Sequence, residues 1–290
     1  MGKLIRAIAS DGSVMCCAID STDMVAQAEQ IHKTSAVVTA ALGRLLTAAS
    51  IMGDQLKGKE DSVTLRMDGG GPTGPLIAVS DSQGNVRGYA VNPVVELPLN
   101  SYGKLDVSGA IGKKGQLAVI KDIGLKEPYI GQIPIVSGEI AEDITYYYAV
   151  SEQIPTVCGL GVLVNPDLTV QAAGGYLIQL LPGAPDSAID QVEANVKTLG
   201  APSKMIADGM TVEEIVEKAL AGFDPQVLDT AQPQYRCNCS RERVERALIS
   251  IGKQELLNMA QEQETTEVEC HFCPKRYQFT SEDLRRLAGE

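Results

Sequence analysis

The sequence predicts an α+β fold: an N-terminal domain of mixed helix and antiparallel sheet over residues 1–182, a helical linker over 183–231, and a small C-terminal module over 232–290. Three observations carry this. A helix-period apolar stripe runs through residues 22 to 52, period-two strand patterns follow it, and four of the seven cysteines are held back for the last 54 residues. With 290 residues and 44% hydrophobic content, the chain is long enough for two domains or for one large domain plus a module.

The first residues, "MGKLIRAIASDGSV", lack an apolar run long enough for a secretion signal before Asp11. Arg6 stands where a myristoylation motif needs Ser or Thr. In "VMCCAID" a strand places Cys16 on one face and Cys17 on the other, one inward and one outward. Met24, Ala28, Ile31, Ser35, Val38, Leu42, Leu45, Ala49 and Met52 then share one face, which predicts a single long core helix from about 22 to 52. His32 falls away from that seam and reads as a residue of the polar face.

Strand patterns follow. "SVTLRMD" alternates Val63, Leu65 and Met67, and "LIAVSDSQGNVRGYAV" is a hairpin turning at Gly84-Asn85. Between them, "GGGPTGP" (69–75) is glycine-rich without being a phosphate loop. Pro75 follows Gly74 where a Walker loop needs Lys, and Pro72 and Pro75 have no amide to offer a phosphate. It reads as a rigid turn. "QLAVIKDIG" and "VCGLGVLVNPDLTVQAAGGYLIQLLPG" supply further strands, the second broken at Asn165-Pro166-Asp167, and the body ends near Pro182. The charge-free stretch Leu168 to Pro185 is interrupted by Gln171, Gln179, Gly174, Gly175 and Pro182, so no membrane span is expected there.

In residues 183–231, "DSAIDQVEANVKTLG" is an amphipathic helix stopped at Gly200 and Pro202. "TVEEIVEKALAGF" opens on a Thr211–Glu214 capping box and stops near Gly222. In the module, Ser240 can cap "RERVERALISIG", and Thr280 with Asp283 can cap a last helix through Leu287.

Net charge is −12 for the whole chain, about −1 from Gln232 onward and −11 before it. A body that acidic disfavours nucleic acid. Arg236, Arg241, Arg243 and Arg246 form a possible phosphate-facing patch in the module, but Glu242 and Glu245 interleave with them, so a zinc-binding nucleic-acid-associated protein is the weaker alternative.

Cys237 and Cys239 form a C-x-C pair and Cys270 and Cys273 a C-x-x-C pair. Two short pairs brought together by the intervening loop give four thiolates to a tetrahedron, which predicts one zinc per chain. A small module needs such a staple. His271 lies inside the second pair and, with four thiolates available, reads as a spectator. Cys16, Cys17 and Cys158 read as inert buried thiols. A standing disulfide framework does not suit the cytoplasmic location expected here. A thiol–disulfide oxidoreductase usually sets its C-x-x-C at a helix N-terminus in a βαβ context, and "ECHFCPKR" follows an acidic loop instead. Four clustered thiolates are also four oxidisable sulfurs, so a redox switch is chemically open.

Together with "RMDGGGPTGPL" (66–76), "SEQIPT" (151–156) and "GGYLIQLLPG" (174–183), the ordered cysteine pairs resemble the 33 kDa redox-regulated heat-shock chaperonin family, across essentially the whole chain. The resemblance implies a cytoplasmic, ATP-independent holdase rather than an enzyme. Its reduced form would hold one zinc on Cys237, Cys239, Cys270 and Cys273 and be inactive. Oxidation would form Cys237–Cys239 and Cys270–Cys273 disulfides and release the zinc. Module and linker would then unfold, and the chain, a homodimer when active, would bind unfolding client proteins. No nucleic-acid or membrane partner is implied.

Overall fold

A computed structural model describes residues 2–289. The chain divides into two compact units, Met1–Arg236 and Cys237–Glu290.

The first unit is built on two antiparallel five-stranded sheets. In one, the order is β10 (Gln226–Ala231), β1 (Lys3–Ile8), β2 (Val14–Asp20), β9 (Val170–Leu180), β8 (Thr156–Val164). In the other it is β5 (Val86–Ala90), β4 (Leu76–Asp81), β3 (Ser62–Asp68), β6 (Gln116–Asp122), β7 (Tyr129–Pro134). Strands β3 to β6 fall where the alternating pattern puts them. β7 carries Gly131 and Pro134, which is why the pattern missed it. A short helix α3 (Val107–Ile111) lies between β5 and β6.

The predicted long helix is two helices, α1 (Thr22–His32) and α2 (Ala36–Asp54). Lys33 takes φ 50° and its amide closes α1 on Glu29 O; Ser35 then turns its hydroxyl to Val95 O at 2.7 Å. The break uses neither Gly nor Pro, so the apolar stripe runs through it undisturbed. In α2 every residue except Ala36 and Arg44 is buried. A helix apolar all round must be covered all round. Gly43 lies against Val162 of β8, and Gly53 against Ser80 and Asp81 of β4, so α2 is wedged between the two sheets. α2 is long and apolar enough to cross a membrane, yet 89% of its apolar window is buried within the fold.

His32 is half-buried rather than on a polar face. Its Nε2 lies 3.0 Å from the hydroxyl of Tyr235, which donates to Gly88 O at 2.9 Å. Burial pulls the His32 pKa below its usual value.

Residues 183–231 belong to the first unit. Helices α5 (Asp186–Thr198), α6 (Pro202–Ala207) and α7 (Val212–Ala219) bury Ala188, Val192, Met205, Ile215 and Val216 against Ile5, Val14, Cys16 and Ile178. Thr211 and Glu214 make the expected capping box. Pro202 is the first residue of α6, a position suited to its fixed φ, as well as a stop for α5. The remaining helix, α4 (Ala141–Tyr147), runs into a π-helical turn, Tyr148–Glu152.

The first sheet is therefore covered on both faces, which corrects the one-in, one-out reading of the adjacent cysteines. Cys17 packs in the core with α1 and α2, Cys16 in the outer core with α5 to α7, and both are 0% exposed.

In the second unit, α8 (Arg241–Ser250), α9 (Lys253–Glu262) and α10 (Ser281–Leu287) pack with the hairpin β11 (Thr265–Glu269) and β12 (Arg276–Thr280). The core is small: Leu248, Leu256, Ala260, Tyr277, Phe279, Leu284 and Ala288. Ser240 and Thr280 cap α8 and α10 as their sequences indicate.

The close approach at Gly53 gives a test. A Cβ there would stand 2.1 Å from Ser80 Oγ and 2.5 Å from Asp81 O, so Gly53→Ala must push α2 away from β4. Overpacking of about 1–3 kcal/mol outweighs the gain of ~0.5–1 kcal/mol in helix propensity, and thermal melts should show a lower Tm. An unchanged or higher Tm would mean that helix and sheet are free to separate.

Candidate metal centre

Two local devices bring the cysteines together. Cys237 and Cys239 lie on the extended approach to α8, which Ser240 ends by accepting a hydrogen bond from Arg243 N at 3.3 Å. Cys270 and Cys273 sit on the loop between β11 and β12, where Cys270 N donates to Lys275 O at 3.0 Å and Cys273 N to Cys270 O at 3.3 Å. That loop turns the second pair back on itself, and the ladder from Glu269–Arg276 to Thr265–Thr280 fixes its position.

All four sulfurs lie within 4.8 Å of one another. Cys237 Sγ is 3.7 Å from Cys270 Sγ, and Cys239 Sγ is 3.5 Å from Cys273 Sγ. A tetrahedral ion with metal–sulfur bonds of ~2.3 Å needs sulfurs about 3.8 Å apart, so the donor set fits such an ion in spacing and in chemistry. The four thiols are free rather than disulfide-bonded, and His271 contributes no atom to the cluster.

The environment biases the thiols unequally. Burial raises the pKa of Cys237 and, less strongly, that of Cys273. At Cys239 burial also opposes ionisation, but the Tyr277 hydroxyl, donating at 3.1 Å, and the neighbouring thiols outweigh it and hold the pKa below its ordinary value. Tyr277 is a site residue that sequence reasoning missed. Its only signal is alternation in "RYQFT", which sets Tyr277 and Phe279 on the inward face of β12.

Arg241 is structural. Its guanidinium lies 4.3 Å over the Phe279 ring, donates to Gln278 O at 2.8 Å and pairs with Asp283 at 2.9 Å. Arg243 donates to Asn238 Oδ1 at 2.9 Å. The suggested phosphate-facing patch thus has Arg241 turned to internal use.

The sequence profile of a family described as Hsp33 protein matches residues 2–280. The chain belongs to the Hsp33 family. It is 47% identical over 284 residues to the 33 kDa chaperonin of Geobacillus sp. (strain WCH70), covering 98% of this chain and 96% of that protein. The 33 kDa chaperonin of Clostridium tetani is 46% identical over 285 residues, covering 98% and 97%. A crystal structure of the 33 kDa chaperonin from Thermotoga maritima superposes with a TM-score of 0.89 at 38% identity, covering 99% of this chain and 97% of that one. Hsp33 membership, the chaperonin names and the cysteine cluster together support a redox-regulated chaperone function.

The other three cysteines of this Hsp33 chain are placed for packing. Burial pushes the thiols of Cys17 and Cys158 up to about 12 and that of Cys16 well above its ordinary value. A cavity of about 920 Å³ is lined in the first unit by Met15, Met52, Tyr148, Ile154 and Gln179. Its polar wall is internally paired: Gln55 donates to Gln179 at 2.9 Å and accepts from Tyr148 at 3.1 Å.

Two outcomes follow from this geometry. Tyr277→Phe removes the hydroxyl that supports Cys239, and competition with a chelator should show metal affinity about 10-fold lower, the scale typical of residues that support ligands. Equal affinity would make the contact incidental. In the reduced, folded chain a maleimide at neutral pH should leave Cys16 and Cys17 unmodified, and mass mapping after unfolding in guanidinium should find all seven thiols reactive.

Proposed function

We propose that the chain is an ATP-independent holdase whose resting form carries one zinc ion on Cys237, Cys239, Cys270 and Cys273, and that oxidation of these thiols switches it on. The observation that carries this is the cluster itself: four sulfurs within 4.8 Å of one another, in a unit whose core is seven buried side chains.

The zinc would supply folding free energy, on the order of 10–16 kcal/mol for a structural site. A core of this size rarely supplies more than ~3–5 kcal/mol by itself. Ligation therefore decides whether residues 237–290 are folded. Oxidation acts on the ligands. Each pair of thiolates gives two electrons to peroxide or hypochlorite and closes one S–S bond, and a disulfide sulfur is no longer a thiolate ligand. The pairing Cys237–Cys239 and Cys270–Cys273 rests on the family resemblance, since the sulfur contacts of 3.7 and 3.5 Å run between the two motifs.

Loss of the module would loosen residues 183–231, whose short helices α5 to α7 hold the outer core by apolar contact. Their departure would bare the sheet face of Ile5, Val14, Cys16 and Ile178, together with the helices' own apolar sides. Unfolding client proteins are the partners such surfaces suit, and the active form is proposed to be a homodimer. A cytoplasmic location fits a switch that needs its cysteines reduced at rest. No catalytic step, nucleic acid or membrane enters this reading.

The decisive experiment measures zinc content and free thiols before and after peroxide, beside an ATP-free client aggregation assay. One zinc and no suppression when reduced, and no zinc with suppression when oxidised, is the expected result. A truncation ending at Gln232 should suppress aggregation without oxidation. If that truncation folds yet stays inactive, the module belongs to the client site and is not its lock.

A further inference from the structure

Residues 226–236 clasp an edge of each five-stranded sheet. β10 runs antiparallel along β1, with Leu4 opposite Ala231, Ile5 opposite Thr230 and Ala7 opposite Val227. Beyond it the chain joins edge strand β5 in the parallel sense: Val86 N donates to Gln234 O at 2.8 Å and Arg236 N to Val86 O at 2.7 Å. Cys237 is the next residue.

The two ends of this strap are held by different means. Tyr235 is 5% exposed and anchored through its hydroxyl to Gly88 and His32. In β10, by contrast, every residue but Ala231 is exposed, Val227 to 59% and Leu228 to 54%. Its one side-chain tie to β1 is Arg6 to Asp229 at 3.5 Å, with Asp229 itself 58% exposed, and an ion pair so open to water adds little. β10 is thus held on β1 by main-chain hydrogen bonds. Leu4, Ile5 and Ala7 are buried in the cores beneath, and from β10 Ala231 alone packs against them.

We infer that the outer edge of β1 is a docking site for an extended segment of an unfolding client, and that β10 is the chain's own occupant of it at rest. The inference rests on the chaperone reading above and adds where and how a client is held. Once the chain from Cys237 onward unfolds, the strap keeps its hold on β5 through Gln234, Tyr235 and Arg236 but has no anchor beyond them, and the strand with so little buried surface is the first part to open. The N–H and C=O groups of β1 are then an unpaired edge, which any extended chain can complete. Because β10 presents almost no buried side chain, the site reads backbone and tolerates sequence, as a holdase requires. Charge adds one preference. Lys3 and Arg6 lie on β1 in a strongly acidic body, and Asp229 is the residue opposite Arg6, so neutral or acidic segments fit best.

The test uses the full-length chain, reduced or peroxide-oxidised, and four labelled peptides. These are the sequence of residues 225–232 (PQVLDTAQ), a scrambled version, and two versions N-methylated at alternate residues in opposite frames. Amide exchange at residues 3–8 and peptide binding are read in parallel with client aggregation. On oxidation the outward amides of β1 should lose protection and regain it with peptide. Parent and scrambled peptides should bind alike, one methylated frame should fail, and none should bind the reduced chain. Protection of β1 that survives oxidation, or two methylated frames that bind as well as the parent, overturns the proposal while leaving the chaperone reading intact if clients are still held. Protection that persists and rises with chain concentration assigns the edge to a second copy and also overturns it. Failure of the oxidised chain to hold any client removes the chaperone reading and the proposal with it.

Discussion

Four thiols within 4.8 Å of one another are a costly arrangement unless an ion satisfies them, because thiolates repel and buried thiols resist ionisation. The C-terminal unit has been built around that tension. Its seven-residue core, its hairpin and its three helices, two of them capped by side chains, all converge on holding two short cysteine motifs face to face. In the proposed zinc-bound form fold and ligation would be one equilibrium there, and whatever changes the chemistry of the sulfurs would change the fold. The first unit answers to a different constraint, the complete burial of α2 between two sheets, which needs no cofactor.

Much of this is written plainly in the chain. The cysteine motifs give the four sulfurs that the fold brings together, since spacing of one and two residues is a local property that folding cannot alter. The capping residues Ser240, Thr211 and Thr280 start their helices where expected, for the same reason. The alternating strands β3 to β6 are equally local. What fails is whatever depends on neighbours distant in sequence. The stripe from Met24 to Met52 is continuous, yet the helix breaks at Lys33, where a left-handed residue and the Ser35–Val95 bond turn the chain. His32 reads as polar surface until Tyr235, more than two hundred residues away, closes over it.

Residues 183–231 show the limit most clearly. Short helices separated by Gly and Pro look like a linker, and by composition they are one. In the fold they supply the fourth layer over the first sheet, their separate apolar faces joined into one. A segment that is weakly helical by itself and yet covers a large apolar surface is a natural place for conditional order. Tyr277 was hidden for a related reason, since its partner Cys239 is reached only through the fold of the module.

The adjacent cysteines Cys16 and Cys17 acquire a use from the layering. Consecutive strand residues point to opposite faces, so this dipeptide reports on two compartments at once: Cys17 on the layer shared with α2, Cys16 on the layer under α5 to α7. A single peptide cut from this stretch is thus a two-channel recorder of how far the molecule has opened. Label on Cys16 alone marks peeling of the outer helices over an intact centre, and label on both marks collapse of the centre itself.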